Sequence, residues 1–171
     1  MLSHERRLAL QCDVIIENFS AGVLARWELD RAGLQAENPR ITVVSMGGMG
    51  QDGPWSRFVT FAPTIHALTG LTYLTNPADS HRIGYGFSLT DHLSGLIGAL
   101  ASLAGVEQAA RTGQGIAVDL AQYEVGLGIL GPTLMDALAN GVTHEPVGAR
   151  HPFGVCAPHG TYPAAGEDEW V

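Results

Sequence analysis

Asp91 is the residue whose type and position could carry covalent chemistry. It stands after Ser88 and Thr90, at the head of a stretch whose apolar residues recur at helical spacing: Leu93, Leu96, Ile97, Leu100, Leu103 and Ala104. A carboxylate at a helix start is most often an N-cap. The same position suits a nucleophile, because the helix dipole favours the charged form and unpaired amides can orient it. The local sequence leaves both interpretations of Asp91 open.

Two other patterns could bind a cofactor or a metal, and neither has the right context. Gly48-x-Gly50-x-x-Gly53 matches the dinucleotide fingerprint, but no amphipathic helix opens after it and no acid follows at the ribose-binding distance. A tight loop is the better interpretation. Four possible metal ligands near the C-terminus match no established zinc spacing, so we predict no metal site: His144, His151, Cys156 and His159. Nucleophile-elbow and Walker motifs are absent from the sequence.

Composition excludes further classes of function. The chain has a formal charge of −8 and no basic run, which argues against a nucleic-acid partner. It is 46% hydrophobic and 15% charged, as expected for a globular protein. No apolar run approaches the ~20 residues of a membrane helix. The charged N-terminus does not suit secretion, and two distant cysteines fit a reducing compartment, so we expect a cytoplasmic protein without a membrane partner.

The order of the predicted elements indicates a parallel sheet. Residues 13–16 and 41–46 are short apolar runs typical of buried strands, and residues 21–34 between them have helical spacing. This strand–helix–strand order predicts a βαβ unit. After a loop over 47–57, we expect helices over 64–71, from Asp91 to about 110 and over 125–138, and a brief strand over 116–118. Gly141 is a plausible C-cap; beyond it we expect an extended linker and an incoming strand at 160–163.

Several stretches together resemble the family III CoA-transferases, the CaiB/BaiF group that includes formyl-CoA transferase. They cover nearly the whole chain in the family's order: Glu17-Asn18-Phe19, Gly22-Val23-Leu24-Ala25-Arg26, Gly48-Met49-Gly50-Gln51-Asp52-Gly53-Pro54, Asp91-His92-Leu93-Ser94-Gly95 and Arg111-Thr112-Gly113-Gln114-Gly115. The resemblance implies an α/β fold, a Rossmann-like parallel sheet with flanking helices. Residues 1–140 would be the central part of the large domain. Residues 141–171 would be a linker into a second, smaller domain that is mostly missing, so the chain resembles a fragment.

The resemblance also implies a reaction and a site. Asp91 would attack an acyl-CoA to give an aspartyl mixed anhydride, CoA thiolate would convert this to an aspartyl-CoA thioester, and a carboxylic acid would complete the exchange. Six positions would line the CoA site: Asn18, Phe19, Ser20, Arg26, Val59 and Phe61. The resemblance implies a homodimer, intertwined as in the family, with coenzyme A and acyl-CoA as substrates and no metal.

Two departures from the family pattern bear on the alternatives. Ser20-Ala21 stands where the family commonly has Arg-Pro, and Phe61-Ala62 where it has a Tyr followed by an acid. Related 2-methylacyl-CoA racemases use a His near Phe61; here His66 lies about a turn further on, as a packing residue, and His92 is misplaced for that role. Transferase is therefore favoured over racemase, and a non-catalytic CoA-binding fragment stays a third hypothesis.

Overall fold

The computed structural model describes residues 3–77, 84–151 and 154–171. Within them the chain forms eight helices and three strands, which we number in chain order: α1 (His4–Ala9), β1 (Val14–Glu17), α2 (Val23–Arg26), α3 (Arg31–Glu37), β2 (Thr42–Ser45), α4 (Ala62–Thr69), α5 (Leu71–Leu74), α6 (Leu89–Thr112), β3 (Ala117–Asp119), α7 (Gln122–Ile129) and α8 (Gly131–Asn140).

The strands form one parallel sheet in the order β1-β2-β3. Ile15 pairs with Val43, and Val43 pairs with Ala117. The α/β class, the parallel sheet and all three strands are therefore confirmed, with ends within one or two residues of the expectation. Because the strands are parallel, Glu17, Ser45 and Asp119 end them at one edge of the sheet. Open α/β sheets usually bind ligands at this edge.

The single helix expected over residues 21–34 is wrong. The chain forms α2 and α3 instead, with Glu28 between them in the left-handed region at φ 59°. Buried Arg6 stabilises this break by donating to the carbonyl of Glu28 and, at 3.0 Å, to the carbonyl of Gly33. Asp30 then caps α3 by accepting from the amide of Gly33 at 3.0 Å. A long-range contact from α1 therefore decides where the helix stops.

Two other expected helices are also divided. Residues 64–71 fall in α4 and α5, which meet at Gly70, a residue with φ +89°. Residues 125–138 fall in α7 and α8, which meet at Leu130. The C-cap at Gly141 is confirmed, with φ +69°. The loop over 47–57 is confirmed as well, since no helix begins between Gly53 and Ala62.

The C-terminal segment does not contain the strand expected at 160–163. In the described residues after Asn140, the only sheet pairing is one isolated antiparallel bridge between Pro163 and Trp170. The division of the chain into 1–140 and 141–171 stays a prediction.

Small residues form the buried face of α6. That face carries Thr90, Ser94, Gly98, Gly105 and Ala109, whereas the apolar residues that predicted the helix are exposed, apart from half-buried Leu93. Leu96 and Leu100, for example, are 65% and 67% exposed. The glycines let the helix approach the sheet closely, because a Cβ at Gly105 would lie 2.5 Å from Cγ2 of Thr42. The predicted helix is confirmed, but its apolar stripe is not its core face.

From the sequence we expected no apolar stretch as long as a membrane helix. The length and mean composition of α6 bear on that expectation. Among the described residues, α6 is the one helix long and apolar enough to cross a membrane by those criteria alone. Core helices of soluble proteins have the same length and composition. Here α6 packs on β1 and β2.

Candidate active site

Asp91 lies in the first turn of α6 and is not its N-cap. The helix begins at Leu89 with Ser88 as N-cap, so Asp91 is the third helical residue. Its side chain is exposed, and no described residue forms a hydrogen bond with its carboxylate. The first turn of a helix favours a negative charge through the backbone dipole. Asp91 is therefore a carboxylate presented to solvent at the positive end of a long helix.

Two histidines lie next to this helix start in different surroundings. His66 on α4 is 1% exposed, and its Nε2 lies 3.3 Å from the backbone nitrogen of Thr90. Burial lowers the pKa of His66, and the charge of Asp91 partly opposes that shift. His92 is exposed, with Nδ1 2.8 Å from the carbonyl of Ser88 and its ring against Phe87. The buried imidazole of His66 is thus coupled to Asp91 by charge and lies beside the first turn of α6.

Four of the six predicted CoA-binding residues meet around one small cleft. Asn18, Phe19, Ser20 and Val59 line a cavity of about 60 Å³, together with the backbone of residues 47–50. Arg26 and Phe61 are not among its lining residues. Phe61 is 75% exposed at the N-cap of α4. A cavity of this size holds only a small part of a ligand as large as CoA, since drug-sized pockets measure about 300–1,000 Å³.

A second cavity, of about 320 Å³, lies beside the strand ends. Its described lining contains one cation, Arg31, and four carboxylates: Glu17, Asp30, Asp52 and Asp119. Such a lining repels the phosphates of CoA. The smaller cleft, with its glycine backbone and uncharged side chains, is the better candidate for a CoA contact.

The glycine-rich loop of residues 47–53 is fixed by side chains at the strand ends. Glu17, 6% exposed, accepts from the amide of Phe19 at 2.7 Å and from the side chain of Gln51 at 3.0 Å. Gln51 in turn accepts from the amide of Gly22 at 3.3 Å. The backbone amide of Gln51 donates to Asp119 at 2.8 Å. We call Glu17, Gln51 and Asp119 the loop-holding residues, because together they join the loops after all three strands.

Gln51 and Asp119 were not predicted as site residues from the sequence. Glu17 and Gln51 lie inside the motifs quoted above, where their side chains had no role. The available signal was an acidic residue at the end of β1 and another at the end of β3, the two strands that flank β2, because parallel strand ends meet at one edge of the sheet.

Helix α4 connects the cleft to the start of α6. Gly48 packs against Thr60 and Ile65: a Cβ at Gly48 would lie 3.2 Å from Cβ of Thr60 and 3.7 Å from Cδ1 of Ile65. The next residue, His66, contacts Thr90 beside Asp91. The candidate nucleophile and the candidate CoA cleft are thus positioned by the same short helix.

The C-terminal histidines meet other possible ligands in pairs. In the part of the chain that the structure describes, no three His, Cys, Asp or Glu side chains could hold one metal ion. His144 lies 2.7 Å from Asp136, and the rings of His151 and His159 meet edge to face at 5.2 Å.

Comparison with known proteins assigns the family. The model of CoA-transferase family III matches residues 3–171. The succinyl-CoA–L-malate CoA-transferase alpha subunit of Chloroflexus aurantiacus is 34% identical over 125 residues, which are 72% of this chain and 29% of that protein. The succinate–glutarate CoA-transferase of Agrobacterium fabrum is 31% identical over 147 residues, 86% of this chain and 37% of that protein.

A solved structure agrees with these relatives. The crystal structure of a CaiB/BaiF family protein from Brucella suis superposes with a TM-score of 0.85 at 31% identity, covering 97% of this chain and 43% of that one. The chain therefore spans less than half the length of these relatives. The match over its whole described length, in sequence and in fold, places it in CoA-transferase family III.

Proposed function

We propose that the chain carries the nucleophile of a CoA-transferase and that Asp91 is this nucleophile. The observation that carries the proposal is the placement of Asp91: it is exposed, in the first turn of α6, in a chain of this family. The helix dipole stabilises the carboxylate, and its exposure leaves it accessible to a thioester.

The proposed reaction has four steps, and the last two mirror the first two. A carboxylate oxygen of Asp91 attacks the acyl carbon of an acyl-CoA; the new C–O bond forms, the C–S bond breaks, and CoA leaves as a thiolate. The thiolate then attacks the aspartyl carbonyl, which releases the donor acid and leaves an aspartyl-CoA thioester. The carboxylate of the acceptor acid then attacks the aspartyl-CoA thioester, which releases CoA thiolate and gives a new mixed anhydride. The thiolate attacks the acyl carbon of the acceptor, which frees the Asp91 carboxylate and gives the new acyl-CoA. Overall, one CoA thioester is exchanged for another of similar energy, so no external energy source is needed.

The donor and acceptor are proposed from the relatives. Those named above are transferases of succinyl-CoA with L-malate and of succinate with glutarate. We therefore propose that the donor or acceptor is a dicarboxylic acid of the size of succinate, malate or glutarate. Succinyl-CoA is the test donor. A homodimer in the cytoplasm stays part of the proposal.

The racemase alternative needs a histidine that reaches the substrate. His66 is 1% exposed, and its Nε2 is engaged by Thr90. His92 is exposed, but its Nδ1 lies 2.8 Å from the carbonyl of Ser88. His92 directly follows Asp91 on α6, and adjacent helical residues do not face each other, so neither histidine lies opposite Asp91 as an accessible base, and this favours the transferase.

Trapping of the acyl-enzyme tests the proposal. The protein is incubated with succinyl-CoA and hydroxylamine, which converts an activated aspartyl carbonyl to a hydroxamate, and tryptic peptides are analysed by mass spectrometry. Residues 83–111 form one tryptic peptide, so Glu107, 62% exposed on the same helix, is an internal control. We expect the hydroxamate at Asp91, none at Glu107, and none in Asp91→Asn.

Three further results separate the remaining hypotheses. We expect Asp91→Asn to lower succinyl transfer by at least ~10³-fold, as loss of a nucleophile does in other enzymes. CoA binding measured by calorimetry, without modification of Asp91, would support a non-catalytic CoA-binding chain. Deuterium incorporation at the α-carbon of a 2-methylacyl-CoA, without acyl exchange, would support the racemase.

A further inference from the structure

The N-terminus of α6 lacks the usual cap. The N-cap residue Ser88 makes no side-chain hydrogen bond to the helix, although the first four amides of a helix have no partner inside it. The amide of Thr90, at the second helical position, donates instead to Nε2 of His66 at 3.3 Å. The side-chain acceptor at the helix start therefore comes from another helix, α4.

The imidazole of His66 is held on several sides. It is 1% exposed, and the ring of Tyr85 meets it edge to face at 4.8 Å. The hydroxyl of Tyr85 donates to Thr75 at 3.0 Å, which fixes that ring. A buried ring in such surroundings has few alternative rotamers.

The hydrogen bond from Thr90 fixes the protonation state of His66. Nε2 accepts a hydrogen bond only when it carries no proton, so the neutral ring must carry its proton on Nδ1. Nδ1 is buried and has no hydrogen-bond partner among the described residues. The hydroxyls of Thr90 and Ser94, on the α6 face that packs inward, are buried in the same way. A doubly protonated imidazole would direct an N–H at the amide of Thr90, and the cap would be lost.

The surroundings keep His66 neutral. Burial lowers its pKa, and among the described charged groups Asp91 acts against this shift. The elements packed against α4 include these residues among their titratable groups: Tyr73 of α5, Asp91 and His92 of α6, and Tyr123 and Glu124 of α7. No described carboxylate is hydrogen-bonded to the ring.

We propose that neutral His66 is a positioning residue for Asp91: its buried imidazole caps α6 at Thr90 and thereby holds the first helical turn, with the adjacent carboxylate, in place. The positioning role rests on the proposed function of Asp91, but the cap does not. Without the acceptor the first turn of α6 frays, and the Asp91 carboxylate is spread over several positions. Reaction of a nucleophile depends steeply on its position.

Two variants separate capping from packing. His66→Met removes the acceptor and fills the buried position with an apolar side chain. His66→Gln places an amide oxygen where it can accept from Thr90. We expect His66→Met to slow acylation of Asp91 by about tenfold with less than a twofold change in KM, the effect of losing an N-cap. We expect His66→Gln to restore the rate to within about threefold. Unchanged acylation in His66→Met would overturn the positioning role.

Hydrogen exchange measures the cap without any catalysis. We expect the amide of Thr90 to be protected at neutral pH in the wild type and to lose protection as His66 is protonated. In His66→Met the amide of Thr90 should have no protection at any pH. In His66→Gln it should stay protected at every pH, without the loss that protonation of His66 causes in the wild type. The amide of Ala101, in the middle of α6, is the control. Unchanged protection of Thr90 in His66→Met would overturn the cap, whatever the fate of the acylation assay.

The wild-type protein supplies a check that no folding defect can obscure. In ¹⁵N-labelled protein, the imidazole nitrogen shifts of His66 report its tautomer. We expect the neutral form with the proton on Nδ1. A proton on Nε2 would overturn the proposal, because that nitrogen could not then accept from Thr90.

Discussion

Replacing Gly105 by alanine should destabilise the protein, although alanine is the better helix former. Gly105 is on the buried face of α6, opposite Thr42 of the central strand. A Cβ there would lie 2.5 Å from Cγ2 of Thr42 and 3.0 Å from Cγ1 of Ile116. Thr42 is fully buried and β-branched, so its side chain has no free rotamer. Helix and sheet must therefore separate locally.

The expected magnitude is a balance of two effects. Overpacking of a well-packed core costs about 1–3 kcal/mol. Alanine in place of glycine returns about 1 kcal/mol of helix propensity. Because the close atoms belong to a strand, we take the upper part of the range and expect a net loss of about 2 kcal/mol for Gly105→Ala.

Gly95 is the matched control on the same helix. Nothing lies within 4 Å of a Cβ at Gly95, which is exposed. Gly95→Ala should therefore stabilise the protein by about 1 kcal/mol. The two variants should differ by about 3 kcal/mol, or about 6–12 °C in Tm for a domain of this size. Thermal unfolding followed by circular dichroism measures the difference. Equal Tm values for the two variants would refute the close approach of α6 to the sheet.

Three further predictions concern the loop, the N-terminal helix and pH. Gln51→Leu should weaken CoA binding about tenfold in calorimetry, because it frees the loop at the cleft, while exposed Gln108→Leu should not. Arg6→Met should lower the free energy of unfolding by about 2–4 kcal/mol in urea, because it removes the buried bonds to residues 28, 33 and 37, whereas exposed Arg7→Met should change it by less than about 0.5 kcal/mol. The pKa of His66 is lowered from 6.5, so the unfolded chain gains this proton first as pH falls. The contribution of His66 to stability is therefore complete above about pH 6.5 and declines as pH falls toward its folded pKa; in His66→Gln the urea midpoint should lack this component.

The sequence predicted the strands better than the helices, for a physical reason. Residues 13–16 and 41–46 are apolar runs that a parallel sheet buries on both faces, so local composition decides them. The stop at Glu28 depends on hydrogen bonds from Arg6 in a different helix. No local pattern contains that information.

Helix α6 shows a second limit of pattern reasoning. Its apolar stripe predicted a helix correctly, yet the buried face is the one with small residues. Periodicity reports which residues share a face. It does not report which face meets the sheet, because a glycine and threonine face allows a closer approach than a leucine face.

The candidate site was reached from the sequence only in part. Asp91 was a candidate from the local sequence that the resemblance strengthened, the cleft residues Asn18, Phe19, Ser20 and Val59 came from the resemblance alone, and all these roles stay predictions. The loop-holding residues and the cap at His66 could not be found in that way, because each depends on two side chains from distant parts of the chain meeting in space. His66 was expected only to pack.

The loop-holding residues have a consequence for protein engineering. The shape of residues 47–53 is imposed from outside by Glu17 and Asp119, which belong to two other strand ends. Grafting the glycine-rich segment alone onto another α/β scaffold would therefore transfer its sequence without its conformation. The transplantable unit is discontinuous: the loop with Gln51 and the two carboxylates on the flanking strands.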